Sequence, residues 1–145
     1  MIVQCVKLIS VLGTPEERSG WLTVGRDLTV LELAVIPGRS EGMPILVFRI
    51  ESDDGGAPAL FRGEQFVIVD GRLPSNWRAL ISADGRLDIG PEAWHRQGFW
   101  EDYVNLDLQA LVAYEAERLT IAQANARSAS ARVIRAALAV MVKPF

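Results

Sequence analysis

The sequence predicts an α+β fold: a small, strongly bent antiparallel β-sheet or barrel followed by C-terminal helices packed on it. Between Trp21 and Trp77, short β-rich runs alternate with Gly, Pro and Asp clusters, the rhythm of tightly connected antiparallel strands. From Leu108 onward the apolar residues recur at helical spacing. The chain of 145 residues, 50% hydrophobic and 23% charged, has the size and composition of one globular domain.

Ile2 to Ile9 is a β-branched run that predicts a strand pairing back onto the sheet, and Gly13, Thr14, Pro15 and the charges after them predict a loop. Leu22 to Val24 reads as a short strand before a turn at Gly25 to Asp27. In Leu28 to Ile36, Leu31, Leu33 and Val35 alternate with Glu32 and Ala34, which predicts one dry face and one partly wet. Pro37, Gly38 and Gly42 bracket a polar connection to the strand Ile45 to Ile50, whose Leu46, Phe48 and Ile50 lie opposite Val47 and Arg49.

Ser52 to Gly56 is a strong hairpin turn, because Asp-Gly and Gly-Gly accept the positive φ that tight β connections need. Strands follow at Ala59 to Phe61 and Gln65 to Val69, and Arg78 to Ser82 with Arg86 to Ile89 reads as a two-stranded addition. Gly90, Pro91 and Glu92 open a helical turn, with Pro where its missing N–H does no harm. Asp107 is placed to cap a helix from Leu108 to about Ala126, with Leu108, Leu111, Val112, Glu115, Leu119 and Ala122 on its apolar stripe.

These elements make one α+β domain over residues 1–126, a β unit to about 89 and a helical part over about 91–126. Residues 127–145 are then a basic, apolar C-terminal helix or tail. Val133, Ile134, Ala137, Leu138 and Met141 give it an apolar face, and Lys143 and Pro144 a stop.

Charge divides along the same line. Residues 1–126 hold 11 Lys and Arg against 18 Asp and Glu, a balance of −7, whereas 127–145 hold Arg127, Arg132, Arg135 and Lys143 with no acid. An acidic body argues against a nucleic-acid backbone as partner, since phosphates need a clustered basic face. It suits a basic protein. The single cysteine, Cys5, sits among apolar neighbours and reads as an inert buried thiol in a reducing compartment. Without a signal-peptide pattern or an apolar run of membrane-spanning length, the expectation is a cytoplasmic protein off the membrane.

Catalytic and metal chemistry finds little to use. His95 is the only histidine, so any Ser–His or Cys–His arrangement must employ it, and no Gly-x-Ser-x-Gly elbow is present. A surface or helix-end histidine is the expectation. One Cys and one His cannot fill a zinc site, the Asp53–Asp54 pair lacks calcium-loop spacing, and no glycine pattern forms a phosphate loop. Neither Glu101 with Asp102 nor Glu115 with Glu117 forms a dyad, because such neighbours on a helix do not face one another. No cofactor or metal is expected. Phe61, Phe66, Trp77, Trp94, Phe99, Trp100 and Tyr103 fit a seam between sheet and helices, with one or two left at a rim as partner anchors. Arg62, Arg78 and Arg96 are the cations set close to these rings, a thin basis for stacking single-stranded nucleic acid.

Four motifs together resemble small bacterial immunity-like proteins of polymorphic or contact-dependent toxin systems. They are Leu-x-Val-Gly-x-x-Leu at Leu22 to Leu28, an Asp-Asp-Gly hairpin before Pro-Ala-Leu-Phe at Asp53 to Phe61, Pro-Ser-Asn-Trp at Pro74 to Trp77, and Pro-Glu-x-Trp with Gly-Phe-Trp at Pro91 to Trp100. The first half is also similar in strand rhythm to a small barrel of the Src-homology-3 kind. The resemblance implies a non-enzymatic protein that occludes a basic toxin domain. The contact residues expected are Glu51, Asp53, Asp54, Glu101 and Asp102, with Trp100 as anchor. The alternatives are a nucleic-acid-associated small barrel and a small enzyme using His95 with Glu92, Glu101 or Asp102.

Overall fold

The computed structural model describes residues 1–38 and 42–141. Its strands are β1 (Ile2–Cys5), β2 (Leu8–Ile9), β3 (Pro15–Glu16), β4 (Asp27–Ile36), β5 (Ile45–Ile50), β6 (Ala59–Arg62), β7 (Phe66–Asp70), β8 (Trp77–Ile81) and β9 (Leu87–Pro91). Single 3-10 turns occupy Gly63–Gln65 and Glu92–His95, and the helices are α1 (Phe99–Val104) and α2 (Leu108–Met141).

β4 is the spine. Along one edge it pairs antiparallel with β5, from Val30 opposite Ile50 to Ile36 opposite Ile45. The other edge is shared: β1 takes Asp27 to Thr29, and β9 takes Leu33 to Val35. The seven-stranded sheet therefore runs β6-β5-β4-β1-β7 with a β9–β8 branch, while β2 and β3 form a separate ribbon. The sheet is antiparallel and bent, and it does not close into a barrel.

A bulge explains where the polar residues go. Val30 faces Ile50 but Glu32 faces Arg49, so two steps on β4 meet one on β5 and Leu31 is the extra residue. The slip changes which side chains share a face. Glu32, expected on the wet side, is 2% exposed, and Val47, Phe48, Arg49 and Ile50 are all buried. Both faces of β5 are covered: Phe48 packs edge-on against Phe66 of β7, while Arg49 lies under Trp100 of α1.

Local chemistry accounts for most boundaries. Gly55 and Gly85 supply positive φ at the two hairpin turns. The Asp54 carboxylate accepts from the Gly56 N–H at 3.0 Å and Asp84 accepts from Arg86 N–H at 3.3 Å, an Asx-type lock in each. Leu22 to Val24 forms no strand, although Leu22 is buried. Asp107 caps α2 as expected, its Oδ1 accepting from the Ala110 N–H at 3.0 Å.

The helix differs from expectation in length and in rotation. It passes Ala126 without a break and continues to Met141; the stop expected at Lys143 and Pro144 lies outside the described residues. Its buried face is Ala110, Tyr114 and Ile121, whereas Leu108, Val112 and Leu119 are exposed. The seat against the aromatic cluster selects this face. Small Ala110 permits close approach, and the Tyr114 ring stacks on Trp94 with centroids 5.4 Å apart. Cys5 is buried, and burial pushes its thiol pKa up.

Candidate functional site

Two surface regions concentrate the chemistry. The first grows from opposite charges isolated in apolar strands. Glu32 in VLELAV and Arg49 in VFRIE meet across the β4–β5 ladder, Arg49 Nε donating to Glu32 Oε2 at 2.8 Å. Their side chains are 3% and 10% exposed. Burial lowers the Arg49 pKa and the Glu32 charge opposes that shift. The guanidinium carbon lies 3.7 Å from the Trp100 ring centroid, a cation–π contact shielded from water.

His95 joins this pair. The 3-10 turn at the end of β9 places it at its last residue, but the side chain is turned inward, and its Nε2 lies 3.9 Å from Glu32 Oε1. That corrects the expected surface histidine, while its helix-end position stands. The gap is too long for a hydrogen bond, and neither His95 Nε2 nor the buried Trp94 Nε1 has a partner among the described residues. Gly90 makes room for Glu32: a Cβ there would stand 2.9 Å from Glu32 Cγ. A cleft of about 360 Å³ opens over the group, with Arg86 and Asp88 on its rim paired through Arg86 Nε at 2.8 Å.

The second region joins the β5–β6 hairpin to the corner between the helices. A groove of about 270 Å³ is lined by Glu51, Gly55, Gly56 and Ala57 on one wall and by Tyr103, Val104, Leu106 and Leu111 on the other. Glu51 is oriented by the Tyr114 hydroxyl, which donates to its Oε1 at 2.6 Å. Burial raises the Tyr114 pKa, and the bond to Glu51 raises it further.

Leu106 is the unusual residue here. Asp107 N–H reaches Asp102 O and Leu106 N–H reaches Tyr103 O, the paired bonds that close a helix through a left-handed residue. Glycine is the usual occupant. Leu106 takes φ +62° and is the one non-glycine residue with positive φ among those described. Its side chain is nevertheless 74% exposed.

The six residues expected at a partner surface separate accordingly. Glu51 lines the groove, Asp54 stands exposed on the hairpin tip, and Glu101 is exposed in the first turn of α1. Asp53 is mostly buried with Arg26 at 3.2 Å, and Asp102 accepts from Arg96 at 2.7 Å. Trp100 is half-buried with one face covered by Arg49. Arg62 is paired with Glu64, and Arg78 donates to the Ser75 and Trp77 carbonyls. Together with Arg96, they are engaged locally.

No family model, no curated protein and no solved structure matches the chain. Among the described residues no helix is long and apolar enough to cross a membrane, and no group of three or more His, Cys, Asp or Glu side chains could hold a metal ion.

Proposed function

We propose that the protein is a non-enzymatic binding module that neutralises a cognate bacterial toxin by occlusion, using the groove between the β5–β6 hairpin and the α1–α2 corner. The observation that carries this reading is Leu106. An L-residue in the left-handed region costs about 1 kcal/mol, and burial does not offset that cost at a side chain so exposed. An apolar residue held in strain at the rim of an open groove fits a contact that is completed by a partner.

The surroundings fit the same role. Val104 and Leu108 are 70% and 74% exposed beside it, while Glu51, Asp54, Glu101 and Asp107 supply acidic character around the apolar centre. That pattern, apolar middle and charged rim, suits a basic protein surface. Titration calorimetry with the purified product of the neighbouring gene tests the proposal. Binding that Leu106→Asp weakens at least severalfold is the expected result. No heat of binding, together with no rescue of cells co-expressing the toxin, would overturn it.

A second reading, a small enzyme using His95, is favoured by one observation: His95 lines a cleft beside Glu32. Its acid would be Glu32, not Glu92, Glu101 or Asp102. His95→Gln separates the two readings. Protection from the toxin persists in that variant if binding alone suffices, and is lost at unchanged affinity if the histidine does chemistry.

A further inference from the structure

We infer that the cleft over Glu32 and His95 binds a small primary amine. Its ammonium group sits between these two side chains, and its apolar body lies along Leu80 and the indoles of Trp94 and Trp100. The cleft, of about 360 Å³, has the size of a small-molecule site. It shares no lining residue with the groove at Leu106, so it is a second site and not part of the first.

The spacing of two atoms carries the inference. The His95 side chain is 10% exposed, its Nε2 has no partner among the described residues, and Glu32 Oε1 lies 3.9 Å away. A buried polar atom left unpaired costs free energy that a bound group can restore. The gap is too wide for a direct hydrogen bond, yet one nitrogen can stand about 2.9 Å from both atoms and donate to each. Glu32 accepts as a carboxylate, and neutral imidazole accepts at Nε2 when its proton is on Nδ1.

Charge and valence select ammonium over other occupants. The acids Glu32, Asp84 and Asp88 outnumber the cations Arg49 and Arg86 that pair with them, which favours a cation. Each acid uses a single oxygen on its neighbours: Glu32 Oε2 on Arg49, Asp84 Oδ1 on Ser82 and the Arg86 N–H, and Asp88 Oδ1 on Arg86. One free oxygen per acid suits point donors and leaves no two-pronged seat for a guanidinium. Among the described residues these acids and His95 do not converge as the ligands of one metal ion.

Heteronuclear NMR titration of the full chain with n-butylammonium chloride tests this inference. Saturable shifts of the Trp94 and Trp100 indole N–H signals and of the β8–β9 amides are expected, with 1-butanol and magnesium chloride leaving those signals in place. His95→Leu should weaken binding about tenfold. Asp84→Asn, at an exposed turn whose acceptor it keeps, should weaken it severalfold with the fold intact. Absence of saturable shifts in the parent chain overturns the inference, as does undiminished binding in both variants. Equal shifts with 1-butanol, from apolar contact alone, or with magnesium chloride, from charge screening alone, overturn it too.

Discussion

Arg49 sits with its guanidinium carbon 3.7 Å above the ring centre of Trp100 and, from the same group, donates to Glu32. One cation thus ties the middle of the sheet to the first helix. Removing either charge strands the other in a dry setting. Glu32→Leu or Arg49→Met should each cost about 3–5 kcal/mol, whereas the two replacements together should cost far less than the sum. Urea denaturation of the four-member mutant cycle measures this, and additive losses would contradict it.

Leu106 trades stability for exposure. Leu106→Gly relieves the left-handed conformation and should stabilise the fold by about 1 kcal/mol, while weakening binding of the partner proposed for this groove. The pair of measurements is the denaturant midpoint and the calorimetric affinity. A glycine variant less stable than the parent would show that the Leu106 side chain packs in the native state.

Acid stability depends on Asp70. Arg72 donates to both of its oxygens, from Nε at 3.0 Å and from a terminal nitrogen at 2.8 Å, and Arg132 lies 3.6 Å away. The hydrogen bonds from Arg72 hold the Asp70 carboxyl well below the usual carboxylate range. A depressed folded pKa gives stability that is present above the ordinary carboxylate value and lost as pH falls through and below it. Asp70→Asn should therefore flatten the acid limb of stability against pH. Urea midpoints measured from neutral to acidic pH decide it, and an unchanged slope would count against the pairing.

Gly90 is needed for its lack of a side chain. A methyl group there meets the stem of Glu32 at 2.9 and 3.1 Å, so Gly90→Ala must shift β9 or the buried ion pair. The expected loss is about 1–3 kcal/mol. A thermal melt suffices, and a neutral result would mean that β9 relaxes freely.

The strands from Asp27 onward were legible because their turns are chemically explicit, whereas Ile2 to Ile9 is split between two sheets and Pro15–Glu16, expected in a loop, pairs with its second half. Ser52 to Gly56 and Ala83 to Gly85 mark hairpins whichever partner lies beside them, and the Asp107 cap depends only on its own helix. The polar site was hidden by the alternation rule. That rule sent Glu32 to a partly wet face and set Arg49 opposite the apolar row of Leu46, Phe48 and Ile50, and the bulge at Leu31 with the aromatic cover carrying Trp100 made both positions dry. The signal that could have found them is one acid and one base, each alone in an apolar strand. The rotation of α2 was missed for a different reason: two apolar stripes run along it, and the stripe with the larger aliphatic residues is the one facing water. Leu106 carried no signal, since left-handed geometry announces itself in sequence only when Gly or Asn occupies it.

The divided edge of β4 has a dynamic consequence. The β8–β9 arm is held to the spine through only three residue pairs, Leu33 with Ile89, Ala34 with Asp88 and Val35 with Leu87. Trp77 anchors the arm in the core, and Gly90 seats it against Glu32. Local opening of β9 would admit water to the dry Glu32–Arg49 pair, so hydrogen exchange along this strand reports on how well that pair is kept from solvent.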